Sequence, residues 1–200
     1  MNIGVDIDGV LTNIQDYVFE YGSKFSYEKE KDLSNLEKNK YETAEIFNWQ
    51  HDEEQKFWEE LFAEYAEHER PRFFASEVLN ILKEKHNIYI ITARTNDGLE
   101  TNKPEIEKIT KTWLKKQNIP YDGIYFPGTD KSQIVKDKKI NVMIEDSAEN
   151  ISLLEGKTNI IVFDAIYNKE AKGYARVNSW YEILYYINKL EKELNAKKEN

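Results

Sequence analysis

Ile3-Gly4-Val5-Asp6-Ile7-Asp8-Gly9-Val10-Leu11-Thr12 is a short apolar run that closes on acid and glycine. Continuous hydrophobicity, rather than alternation, marks a strand covered on both faces, as in a parallel sheet. Gly9 lets the backbone turn close to a ligand. Asp6 and Asp8 meet where the chain leaves the sheet. Two acids this close repel unless a cation, a proton or a donor sits between them.

Four more runs resemble the first, at residues 87–92, 123–126, 141–145 and 159–163. Helical spacing of apolar residues fills the gaps, over 73–86, 105–117 and 147–156, the last with a serine in the cap position and glycine at its end. A further helical pattern starts at Ser179 and dissolves into a solvated Lys/Glu/Asn tail. Strand and helix alternate from about residue 73 onward, which predicts a three-layer α/β fold on a parallel, Rossmann-like sheet. Residues 13–73 interrupt the alternation. They carry two helical patterns, 14–25 and 52–69, the second with Phe57, Trp58, Leu61, Phe62 and Tyr65 on one side, and no convincing strand. The expected division is a core of residues 1–12 and 74–200 with a helical unit of 13–73 inserted into it.

Met143-Ile144-Glu145-Asp146-Ser147 is a second strand that ends in two acids. If it lies parallel to the first, Asp6, Asp8, Glu145 and Asp146 gather at one sheet edge, where open α/β sheets bind ligands. Such an oxygen-rich cluster suits Mg²⁺, which takes a few carboxylates together with water and substrate phosphate. Turn-forming or helix-capping chemistry explains one such pair after a strand; two pairs, each closing an apolar strand, point to a site.

These residues resemble the motifs of the haloacid dehalogenase superfamily. Asp6-x-Asp8-Gly9-Val10-Leu11-Thr12 is similar to its first motif, Ile90-Ile91-Thr92-Ala93-Arg94 to the second, Lys131 to the third-motif lysine, and Ile144-Glu145-Asp146 to the fourth in its acid–acid form. Lys136 competes with Lys131 for the lysine role. The insert after the first motif resembles a C1-type cap. Within the superfamily the chain most resembles the 5'-nucleotidases of the 5'(3')-deoxyribonucleotidase type and their bacterial relatives.

The resemblance implies a Mg²⁺-dependent phosphomonoester hydrolase acting through an aspartyl-phosphate, with nucleoside monophosphates as substrates. Asp6 is then the nucleophile and Asp8 the general acid and base. Asp6, Asp8 (through its backbone carbonyl) and Asp146 are metal ligands, and Glu145 acts through water. Thr92, Ala93, Arg94 and Lys131 hold the phosphate, although Arg94 could equally pair with an acid of the cap. Phe47 and Trp49, on a loop between cap helices, are candidates to stack on a base, with packing in the cap core as the competing reading. The segment 164–168 after the last strand could line the rim. Other readings are a polynucleotide 3'-phosphatase, another small-metabolite phosphatase, a phosphomutase, or a non-catalytic module that binds a phosphorylated ligand.

Composition narrows the partners. The net charge is −9, which argues against a general nucleic-acid binder. Residues 13–73 hold 16 of the 37 acids but only 8 of the 28 bases, so the acidity lies over the presumed site and disfavours a long polyanion. There is no cysteine, which excludes disulfides, thiolate zinc sites and cysteine nucleophiles. No apolar run approaches the ~18 residues of a membrane span, and the first residues lack the basic and apolar regions of a signal peptide. A cytoplasmic protein acting on a small phosphorylated metabolite is the expectation.

Overall fold

The computed structural model describes residues 1–94 and 103–197. The expected tail runs past residue 197, outside the described residues. Six parallel strands form one sheet: β1 (Asn2–Val5), β2 (Asn87–Ile91), β3 (Gly123–Tyr125), β4 (Val142–Glu145), β5 (Asn159–Phe163) and β6 (Ala175–Val177). Their order is β3-β2-β1-β4-β5-β6. This is the doubly wound α/β arrangement that the sequence predicts. β6 is the strand that the sequence reading omits. It is a three-residue edge strand with Arg176 at its centre, too short and too polar to show as an apolar run.

β1 and β4 are neighbours, with Val5 opposite Ile144. The Asp6 N–H continues the ladder onto the Ile144 carbonyl at 3.1 Å. The register therefore sets Asp6 level with Glu145. The order of connections reverses here, and open sheets bind ligands at such a switch point. Ile3, Val5, Ile88, Ile90, Val142 and Ile144 fill the core beneath it, fully removed from water.

Helices α1 (Ile14–Glu28), α2 (Thr43–Phe47) and α3 (His51–His68) lie between β1 and α4 (Ala75–Lys83). They have an apolar cluster of their own, built on Val18, Phe25, Ile46, Phe47, Trp49 and Phe57. Two crossing segments tie this insert to the sheet. Thr12 and Pro71 form an antiparallel bridge. Arg72 then staples the crossing, donating to the carbonyls of Thr12 at 3.2 Å and Gly9 at 3.1 Å. Of the remaining helices, α5 (Lys103–Lys116), α6 (Ser132–Asp137), α7 (Ala148–Leu154) and α8 (Trp180–Ala196) follow β2, β3, β4 and β6. α7 starts at Ser147, whose hydroxyl accepts the Asn150 N–H. No helix among the described residues is long and apolar enough to cross a membrane.

Candidate active site

Three buried carboxylates and one buried ammonium occupy the edge where β1 and β4 end. Asp6, Glu145 and Asp146 bring one oxygen each within 4.8 Å of the others. Lys131, at the start of α6, donates to Asp6 Oδ1 at 2.6 Å and to Glu145 Oε2 at 2.8 Å. Lys136 sits in the last turn of α6 and is exposed. Glu145 Oε1 accepts from the Ser147 N–H at 3.2 Å and from Asn150 Nδ2 at 3.3 Å, so both of its oxygens are held.

The cluster carries one positive charge against three negative ones, in a place that water hardly reaches. Burial pushes the Asp6 carboxyl up to about 7; Lys131 opposes the shift, and Glu145 and Asp8 add to it. Burial also raises Asp146, with Glu145 and Asp6 adding to it. Burial alone would lower Lys131, but Asp6 and Glu145 outweigh it and keep the ammonium charged.

The donors fit a hard divalent cation. They are all oxygen, and they carry excess negative charge. Asp146 Oδ1 is buried without a hydrogen-bond partner among the described residues, while its other oxygen accepts from the Tyr167 hydroxyl. Gly9, at φ +90°, leaves the approach open: a Cβ there would fall 2.0 Å from Asp146 Oδ2. The segment after β5 thus reaches the site directly. Tyr167 meets the Asp146 carboxylate, and Asn168 Nδ2 donates to the Asp146 carbonyl at 2.7 Å. Arg176 of β6 fixes Asn168 by donating to its Oδ1 at 2.8 Å.

Asp8 is held differently. Arg94, three residues past the end of β2, grips it from Nε at 3.0 Å to each oxygen and from Nη2 at 2.7 Å to Oδ1. The partner of Arg94 is therefore a core acid, not an acid of the insert. Its Nη1 is buried beside the cleft, with no hydrogen-bond partner among the described residues. Thr92 is fully buried, and its hydroxyl accepts the Arg94 N–H at 3.2 Å. Ala93 lines the cleft.

Insert and core enclose a cleft of about 270 Å³. Asp6, Asp8, Arg94 and Lys131 line it from the core, and Ile14, Tyr41, Trp58 and Phe62 from the insert. A second chamber of about 200 Å³ shares Asp8, Ile14, Tyr41 and Trp58 with it and continues to Val18, Ile46 and Gln15. Together they reach the size of small-ligand sites, about 300–1,000 Å³.

Phe47 and Trp49 are not part of this wall, which corrects the expectation that they face a base. They stack on each other at 4.8 Å inside the insert, and Trp49 Nε1 donates to Ser26 Oγ of α1 at 2.9 Å. Gly22 of α1 makes room for Phe47, since a Cβ there would fall 2.4 Å from its ring. The insert spends these aromatics on its own core. Trp58, Phe62 and Tyr41 line the wall instead. The first two belong to the aromatic side of the 52–69 pattern, and the signal that could have singled them out is their surplus over what so small a core can bury.

The sheet and its switch point have the fold of haloacid dehalogenase-like hydrolases. The fold is shared with a haloacid dehalogenase-like family hydrolase of Streptococcus pneumoniae, at a TM-score of 0.67 and 13% identity over 93% of this chain and 97% of the other. It is also shared with a HAD family hydrolase of Deinococcus radiodurans, solved with bound phosphate and sodium, at 0.63 and 13% over 91% and 92%. The sequence model described as 5' nucleotidase, deoxy (pyrimidine), cytosolic type C protein matches residues 1–194, and the chain belongs to that family. Relatives include a nucleotidase of Clostridium acetobutylicum, 24% identical over 98% of each chain, and a 5'(3')-deoxyribonucleotidase of Bacillus subtilis, 27% identical over 90% of this chain and 95% of the other.

Proposed function

We propose that this phosphatase is a Mg²⁺-dependent 5'-nucleotidase that hydrolyses nucleoside monophosphates through an aspartyl-phosphate on Asp6, with residues 13–73 acting as its cap. The observation that carries the reading is the pairing of a charged floor (Asp6, Lys131, Glu145, Asp146) with an aromatic roof (Tyr41, Trp58, Phe62) in one cleft. The floor suits a phosphate and its cation, and the roof suits a flat base.

Asp6 Oδ attacks phosphorus, and the ester P–O bond breaks. Asp8 gives its proton to the departing nucleoside oxygen. The Asp8 carboxylate then takes a proton from a water that attacks phosphorus, the P–O bond to Asp6 breaks, and phosphate leaves. Proton transfers of this kind contribute typically about 10²–10⁴-fold. Lys131 holds Asp6 in place and offers its charge to the phosphoryl oxygens, with the Thr92 hydroxyl, the Ala93 backbone and Arg94 Nη1 beside it. Asp6, Asp146 and the Asp8 carbonyl would hold the Mg²⁺, with Glu145 anchoring Lys131 behind them. When bound, the cation offsets the repulsion between carboxylate and phosphate.

Phosphate release from a panel of nucleoside monophosphates, with Mg²⁺ and with EDTA, tests the reading. Turnover is expected with Mg²⁺ only, and Asp6→Asn should lower it by at least about 10³-fold. Turnover unaffected by EDTA, or retained in Asp6→Asn, overturns it.

A further inference from the structure

The helical insert reaches past the substrate wall and touches the acid–base carboxylate itself. Tyr65, in the last turns of α3, is buried, and its hydroxyl donates to Asp8 Oδ1 at 2.8 Å. The same hydroxyl lies 2.6 Å from Thr12 Oγ1. A phenol has one proton. With that proton on the bond to Asp8, the Thr12 hydroxyl has the Tyr65 oxygen at 2.6 Å and the Ile7 carbonyl at 3.2 Å as acceptors for its own.

The position of Tyr65 is secured from two other sides. Its ring lies 5.2 Å from the Arg94 guanidinium, which grips the same carboxylate. The end of α3 is fixed to the core, because Trp113 of α5 donates from Nε1 to the Glu69 carbonyl at 2.7 Å. The Thr12–Pro71 bridge closes the crossing two residues past Glu69. Among the described residues, Asp8 is thus gripped by one residue of the core and one of the insert, whereas Asp6 is held by Lys131 of the core.

We infer that Tyr65 is a positioning residue for the acid–base step: it seats the Asp8 carboxyl toward the leaving oxygen, and does so only while the insert is docked on the core. The inference rests on the phosphatase reading above and adds to it a link between docking of the insert and proton transfer. Binding of the substrate under the roof would then set the acid at the same time. An undocked insert would leave Asp8 to Arg94 alone, less well placed to deliver its proton to the leaving oxygen.

Leaving-group dependence isolates this role. A nucleoside oxygen needs a proton to depart, whereas p-nitrophenolate leaves without one. Tyr65→Phe keeps the ring and removes the hydroxyl. With Mg²⁺ present, its kcat/KM on a nucleoside monophosphate, which reports only the steps through formation of the aspartyl-phosphate, should fall about tenfold, the scale of one hydrogen bond to a charged group. Its kcat/KM on p-nitrophenyl phosphate should change by less than about twofold. Both rates are taken from one sample, so a misfolded fraction cancels from their ratio. An active wild type whose Tyr65→Phe variant keeps the wild-type ratio overturns the inference and leaves the phosphatase reading standing. A wild type with no turnover of either substrate overturns both.

Discussion

Floor and roof of the cleft are held by different means. The floor is charge against charge: Lys131 between Asp6 and Glu145, with Asp146 alongside, all buried and fixed by the register of β1 on β4. The roof is aromatic surface on an insert that has its own small core and meets the sheet through a crossing and a few bonds at the end of α3. The floor cannot adjust, because a shift of one residue in either strand would separate the acids. On the proposed function, most of the reaction chemistry falls to the floor and discrimination between substrates to the roof, and single substitutions should separate the two.

The largest effect is expected at Lys131. Lys131→Met keeps most of the volume but leaves Asp6 and Glu145 buried with no positive partner. Breaking a buried pair from one side costs about 3–5 kcal/mol. Denaturant unfolding should show that loss, and turnover of every phosphate ester should fall together. A variant as stable as the wild type would mean that the floor is not held by charge.

Two tryptophans of the insert sharpen the contrast. Trp49→Ala empties the insert core and should cost about 3–5 kcal/mol in stability. Trp58→Ala removes part of the wall. It should raise KM for nucleoside monophosphates about tenfold, on the scale of one base–aromatic stack, while KM for glycerol phosphate stays near the wild-type value. If Trp49→Ala instead changed KM selectively, the roof would extend deeper into the insert than the cleft shows.

How much of this could be read from the sequence follows the same division. The strands of the floor are continuous apolar runs ending in acids, so their chemistry shows in one dimension, and parallel pairing needs only the alternation of strand and helix. The roof depends on which face of each insert helix turns inward. Phe47 and Trp49 look free on a short loop, yet Gly22 and Ser26, more than 20 positions earlier, draw them into the core. Tyr65 reads as one more aromatic on the apolar side of a helix. Its partner Asp8 lies 57 residues away. The one signal is chemical: a tyrosine among phenylalanines and tryptophans carries a hydroxyl that must find a partner once buried.

The smallest expected effect is a dependence of stability on pH in the floor without its cation. Asp6 titrates in the folded chain at about 7, against 3.8 for an ordinary aspartate. Between those values the folded state binds more protons at Asp6 than the unfolded one, so the contribution of this group to stability is full below about pH 4 and is lost as pH rises through 7. Asp146 is shifted the same way and adds to the fall. The slope approaches about 1.4 kcal/mol per pH unit for one such group, or roughly 3–6 °C in Tm for a chain of this size. His86, lowered mainly by burial, works in the opposite sense toward acid pH. Its contribution is the same in Asp6→Asn, so the difference between the two proteins isolates Asp6. In EDTA, wild-type Tm should drop more than that of Asp6→Asn between about pH 6 and pH 7.5. Saturating Mg²⁺ should restore most of the loss, because an ion that binds only the folded state stabilises it by mass action. Parallel melting curves for the two proteins in EDTA would show that the floor carries no unbalanced charge for a cation to offset. The contrast with the aromatic roof would then rest on shape alone.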